Sequence, residues 1–159
     1  MRGGSVASHI KIGSDVYSPL IPKDKADVIL GLEPLETLRV GVNYIAPGGV
    51  VIMNIRKYES IDVKTGQAEY PSISDITDSF KKLNANIITL DATKIAIKSG
   101  TAKAMNVVML GALAAYQKNP VPRKILEEVI KDRVPPKTIE VNLKAFELGF
   151  NKASEDLRR

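Results

Sequence analysis

The chain has no cysteine and no tryptophan, a single histidine, and only 5% aromatic residues among 159 positions. Without cysteine it can form no disulfide and offers no thiolate nucleophile. It can also hold no zinc ribbon and no thiolate-bound iron–sulfur cluster. One imidazole, His9, leaves little for a histidine-based metal site, so any redox metal must sit in another chain. The scarcity of aromatics makes the core aliphatic, built from Val, Ile, Leu and Ala. No apolar run approaches the ~20 residues that span a bilayer, and no basic-then-apolar leader opens the chain. The expectation is a cytoplasmic chain with no membrane partner.

What is present is ordinary for a folded domain: 44% apolar and 26% charged residues. The length fits one domain over residues 1–159. The net charge of +5 is spread among interleaved acids and bases. That pattern describes a solvated surface rather than a nucleic-acid track.

SVASHIKI (5–12) alternates, with Val6, Ser8, Ile10 and Ile12 on one face and Ala7, His9 and Lys11 on the other. This predicts a half-buried strand, with VYSPLI (16–21) as its antiparallel hairpin partner. Pro19 confines that partner to an edge. ADVILGL (26–32) and VVIMNI (50–55) are nearly unbroken apolar runs, as in strands covered on both faces. Between them, LEPLETLRVGVNYI (32–45) has helical spacing and Ala46-Pro47-Gly48-Gly49 closes it. The result is a β–α–β unit with a right-handed crossover.

Residues 57–72 suggest a hairpin excursion around Thr65-Gly66. ISDITDSFKKLN (73–84) is an amphipathic helix with Ser72 or Ser74 as its cap. NIITL (86–90) is a third buried strand, followed by a short helix over 92–98. The rest is helical: a nearly all-apolar helix over 101–117, an amphipathic one over 122–134 and a last one over 138–157. The predicted fold is therefore a layered α/β/α domain. Its sheet is mixed but largely parallel, with a hairpin at the N-terminus and a helical C-terminal third.

Open sheets of this class bind ligands beyond the carboxyl ends of their parallel strands. Those ends carry Glu33, Asn54, and Asp91 with Thr93. Asn54 is a strand-end polar residue with no partner visible in the sequence, whereas Glu33 and Asp91 have structural alternatives. Glu33 sits where a carboxylate favours a helix N-terminus, and Asp91 stands where Asp caps the following helix. His9 is either a polar contact at a subunit junction or a solvent-facing strand residue. Asn106 and Asn142 lie within helices and need hydrogen-bond partners if buried. No GxGxxG or GxxxxGK[ST] occurs. No nucleophile, base and orienter fall together, so the chain does not read as a self-sufficient enzyme.

RGGSVASHIKIG followed by YSPLIPKDKADVILGLEPLETLR resembles the small subunit of indolepyruvate ferredoxin oxidoreductases. That subunit is related to the gamma subunit or domain of the 2-oxoacid:ferredoxin oxidoreductases. PGGVVIMN, YPSISDI, LDATKIA, AMNVVMLGALA and VNLKAFELG extend the likeness from Arg2 to about Asn151. The resemblance implies a non-catalytic-core subunit that supports oxidative decarboxylation of an aryl 2-oxoacid to an arylacetyl-CoA, with ferredoxin as electron acceptor. Thiamine diphosphate, Mg2+ and the iron–sulfur clusters would belong to a large catalytic partner subunit, with coenzyme A as substrate. Ferredoxin, reached through the complex, and a second copy of the chain are further implied partners.

Arg2, Gly3, Gly4, His9, Glu33, Asn54, Asp91 and Thr93 are then the candidates for CoA contact or the subunit junction, Arg2 because guanidinium matches phosphate geometry. Family members carry a strand, a glycine-rich loop and a helix before RGG. The resemblance therefore implies that this chain begins partway through its domain. The alternative reading is a stand-alone module that binds a small anion or itself.

Overall fold

The computed structural model describes residues 6–58, 63, 65–66 and 69–157. Three strands, β1 (Ala26–Gly31), β2 (Ile45–Asn54) and β3 (Asn86–Leu90), form a parallel sheet in the order β1-β2-β3. The helices are α1 (Pro34–Tyr44), α2 (Ile73–Lys82), α3 (Ala92–Ser99), α4 (Met105–Ala114), α5 (Arg123–Arg133) and α6 (Ile139–Leu157). The α/β class, the parallel strands and the helical C-terminal third are as the sequence predicts. The chain divides into two compact units, Met1–Val51 with Lys57–Ile87, and Ile52–Arg56 with Ile88–Arg159.

In the first unit, α1 packs on β1 and on α2. Pro34 opens α1, where its fixed φ suits a first turn and its missing N–H is not needed. Phe80 and Ile76 of α2 are fully buried, each worth roughly 1.5–3 kcal/mol of apolar transfer. Gly41 of α1 lets the Phe80 ring come close, since a β-carbon there would lie 2.9 Å from it. Ser72 caps α2 in a reciprocal box with Asp75. Of the two serines considered, the cap is therefore Ser72.

In the second unit, α6 packs on α4, α3 and α5. Two glycines set the α4–α6 approach. A β-carbon at Gly111 would lie 2.0 Å from the Phe146 carbonyl oxygen, and one at Gly149 2.0 Å from that of Val108. On the α5 side, Arg123 bonds Glu127 at 2.6 Å and also pairs with Glu147. Its guanidinium lies 4.3 Å from the centre of the Phe150 ring.

Four expectations need correction. First, no strand forms at 6–12 or 16–21, so the N-terminal hairpin is absent and the sheet is parallel rather than mixed. Here backbone donors go to side chains: Ile21 N to His9 Nδ1 at 3.2 Å and Leu20 N to Ser18 Oγ at 3.3 Å. An alternating pattern specifies two faces; a ladder also needs a partner strand. Second, β1 is an edge strand with Asp27 and Leu30 exposed, not a strand covered on both faces.

Third, β2 starts at Ile45, directly after α1, and absorbs the Pro47-Gly48-Gly49 stretch. Gly48, at φ +81°, donates its N–H to Asn84 O at 2.8 Å. Fourth, the helix expected over 101–117 is a short 3-10 turn and then α4, and its Asn106 is exposed rather than buried. Asn142 is half-buried and donates to Thr138 O at 2.8 Å. In the 57–72 excursion the Thr65-Gly66 turn is present, with Gly66 at φ +75°. Val63 has helical backbone there, and the described residues of that stretch hold no strand.

Candidate functional site

The carboxyl end of β1 leads to Glu33, whose extended backbone makes it the N-cap of α1. One of its carboxylate oxygens accepts from Glu36 N at 2.9 Å. The other accepts from Tyr58 N at 3.2 Å and from the Tyr70 hydroxyl. The same Tyr70 oxygen accepts from Leu35 N at 3.0 Å. The Lys57 ammonium lies 4.8 Å from the centre of the Tyr70 ring, a cation–π arrangement. Burial, and then the hydrogen bond to Glu33, push the Tyr70 phenol well above its ordinary range. Glu33 is thus a fully engaged acceptor that ties the 57–70 excursion to the start of α1, not a free acid or base.

In the sequence Tyr70 stands out only as the first residue of the YPSISDI stretch that carries the resemblance. Nothing local marks it as a site residue, since its partner lies 37 positions away.

In the second unit, Asn54 ends β2 fully buried. Its side-chain oxygen accepts from Ala92 N at 3.0 Å and Arg56 N at 3.3 Å. Asp91 caps α3, accepting from Lys94 N at 2.8 Å. Asn54 and Asp91 therefore meet at the start of α3, and the first donors of that helix point at protein oxygens. Thr93 is half-buried one position into the helix. His9 is half-buried, with Tyr44 edge-on at 5.0 Å between ring centres, and belongs to the first unit. Arg2, Gly3 and Gly4 lie outside the described residues.

The sequence of the family described as pyruvate ferredoxin/flavodoxin oxidoreductase matches residues 1–152. The chain belongs to that family. Among its relatives, indolepyruvate oxidoreductase subunit IorB of Pyrococcus horikoshii is 41% identical over 157 residues, covering 98% of this chain and 77% of the relative. The subunit of the same name from Archaeoglobus fulgidus is 40% identical, over 96% and 75%. 2-Oxoglutarate synthase subunit KorC of Methanocaldococcus jannaschii is 30% identical, over 82% and 70%. A solved gamma subunit of a keto/oxoacid ferredoxin oxidoreductase from Geobacter sulfurreducens superposes with a TM-score of 0.58 at 23% identity. It covers 80% of this chain, which spans 63% of that structure. At that identity the likeness shows the fold alone.

Family membership raises iron–sulfur clusters and thiamine diphosphate with its metal. The residues here do not fit thiolate-held clusters or a metal site of three or more such side chains. The chain has no cysteine, and no group of three or more His, Asp or Glu among the described residues could hold a metal ion. Nor is any described helix long and apolar enough to cross a membrane.

Proposed function

We propose that the chain is the small subunit of a cytoplasmic indolepyruvate:ferredoxin oxidoreductase, inactive alone. It joins a large subunit that binds thiamine diphosphate, Mg2+ and the iron–sulfur clusters. The assembly oxidises an aryl 2-oxoacid with CoA to an arylacetyl-CoA and CO2, and the electron pair goes to ferredoxin. The observation that carries this reading is the 41% identity to an indolepyruvate oxidoreductase subunit across 98% of the chain. The engaged state of Glu33, Asn54 and Asp91 supports it, because their oxygens serve helix starts and loop attachment rather than proton transfer. Arg2 remains the proposed contact to a CoA phosphate.

The test is co-expression with the large subunit, co-purification, and an assay of indolepyruvate- and CoA-dependent electron transfer. Activity should require both chains, and Arg2→Ala should raise the KM for CoA severalfold with little change in that for the 2-oxoacid. An equal rate from the large subunit alone would leave the stand-alone binding or self-associating module as the correct reading.

A further inference from the structure

In the second unit, α3 buries Ala92, Ala96 and Ser99 and leaves Lys94, Ile97 and Lys98 exposed. Their spacing puts these three on one face of the helix. That face is locally unfavourable. Lys94 and Lys98 are like charges one turn apart, and Lys94 stands in the first turn, where the helix dipole disfavours a cation. Neither lysine forms an ion pair among the described residues. α5, in the same unit, presents the opposite case. It buries Ile130 and leaves Ile125, Glu128, Val129 and Asp132 exposed on one face, flanked by Lys124, Lys131 and Arg133. Glu128 and Asp132 are like charges at the same spacing as the two lysines. Asp132 stands in the last turn, where the dipole disfavours an anion. Glu128 forms no ion pair among the described residues, and Asp132 meets only its chain neighbour Arg133, on an exposed surface.

We propose that α3 of one copy of the chain lies antiparallel on α5 of a second copy. Lys94 then meets the second copy's Asp132, and Lys98 meets its Glu128, because the two charge pairs have one spacing. Ile97 packs beside Ile125 and Val129 and loses its exposure to water. In this orientation the amino end of α3 lies at the carboxyl end of α5. Lys94 therefore reaches the negative end of a helix and Asp132 the positive end of one, which neither has within its own chain. Charge complementarity of this kind also fixes orientation, since the parallel arrangement sets each charge at the wrong helix end. The two faces are different surfaces of the same chain, so the contact is head-to-tail and leaves one α3 face and one α5 face free in each pair. One helix face on another buries less area than stable interfaces do, so the association is weak and concentration-dependent. It stands apart from the proposed oxidoreductase role and needs no large subunit.

Sedimentation of the full chain across a wide range of concentration tests this, and the average mass should rise with concentration. Salt gives the first distinction. The net charge of +5 repels copies, so a contact through apolar surface alone would tighten as salt is added, whereas one held by these charge pairs should weaken severalfold up to about 0.5 M salt. Two double variants give the second: Lys94→Glu with Lys98→Glu, and Glu128→Lys with Asp132→Lys. They change only exposed side chains, so each should keep the circular dichroism of the wild type. Each alone should raise the Kd of self-association about tenfold or more, because like charges then face each other. Mixing the two should restore association, since the acidic α3 of one variant meets the basic α5 of the other. A wild type that is monomeric at every concentration would overturn the proposal, and loss of co-purification with the large subunit on reversal of the α3 lysines would then assign that face to the other chain. Self-association that neither reversal weakens would overturn it as well, and would move the contact to another surface, such as the exposed apolar side chains of 6–20. So would a mixture of the two variants that fails to associate.

Discussion

At the scale of residues, Glu33 joins three partners, and Tyr70 is the one that gives it reach. Tyr70→Phe removes the hydroxyl that joins Glu33 to Leu35 N and leaves both groups short of a partner. A loss of about 1–3 kcal/mol is expected in denaturant unfolding. A second outcome is specific to the phenol. Its folded pKa is raised by burial and then by Glu33, so the unfolded chain gives up this proton first as pH climbs. The stability that the protonated phenol contributes is complete below about pH 10, the ordinary tyrosine value. It is lost as pH rises from there toward the folded value. Denaturation midpoints followed from neutral pH into the alkaline range should therefore fall less steeply in the Phe variant than in the wild type.

At the scale of elements, two helix pairs are set by single positions. Gly111 and Gly149 bring α4 and α6 together backbone to backbone. A methyl group at either would strike a carbonyl oxygen, which cannot swing aside as a flexible side chain does. Gly111→Ala and Gly149→Ala should each cost about 1–3 kcal/mol or more as overpacked variants, even though alanine is the better helix former. Thermal melts that showed either variant as stable as the wild type would mean that the helices can separate without loss. Ser72→Ala removes the hydroxyl that accepts from Asp75 N at 3.0 Å and donates to the Asp75 carboxylate at 2.6 Å, while the Ser72 N–H keeps its bond to that carboxylate. The expected cost is about 1 kcal/mol, readable by chemical denaturation.

At the scale of the whole molecule, the apolar surface is unevenly spread. The second-unit helices and the last residues of β2 enclose a well-buried core that includes Ile52, Met53, Val108, Met109 and Phe146, whereas Val6, Ile10 and Ile12 stand 87%, 75% and 61% exposed. Burial, not hydrophobicity, decides what a side chain contributes to stability. Replacing Val6, Ile10 and Ile12 together by serine should therefore shift the unfolding free energy by no more than about 0.5 kcal/mol per site. A large cooperative loss on calorimetry would show that these residues are packed in the folded chain. For the same reason the proposed oxidoreductase is best tested as a complex, because this chain supplies neither cluster ligands nor a free acid–base pair among its described residues.

The sequence by itself determined whatever depends on neighbours a few positions apart. Strand 86–90, the boundaries of α2 and α5 within about two residues, a serine cap at 72 or 74, a cap at Asp91 and the Thr65-Gly66 turn all follow from periodicity and capping chemistry. The family is also legible there, because RGG, GLEPLE and LDATKIA are local strings. Tertiary structure alone decided the rest. Alternation at 5–12 is that of a strand, but a strand needs a ladder partner, and in the expected partner segment the Leu20 and Ile21 amides bond the Ser18 and His9 side chains instead. The apolar run at 26–32 is that of a strand covered on both faces, but Asp27 and Leu30 of β1 are exposed, because what packs on a strand's faces is set by elements distant in sequence. Glu33 and Asn54 were visible as polar residues at strand ends. Their partners, Tyr70 at 37 positions and Ala92 at 38, become neighbours only when the chain closes on itself, since hydrogen bonds depend on distance in space and not along the sequence.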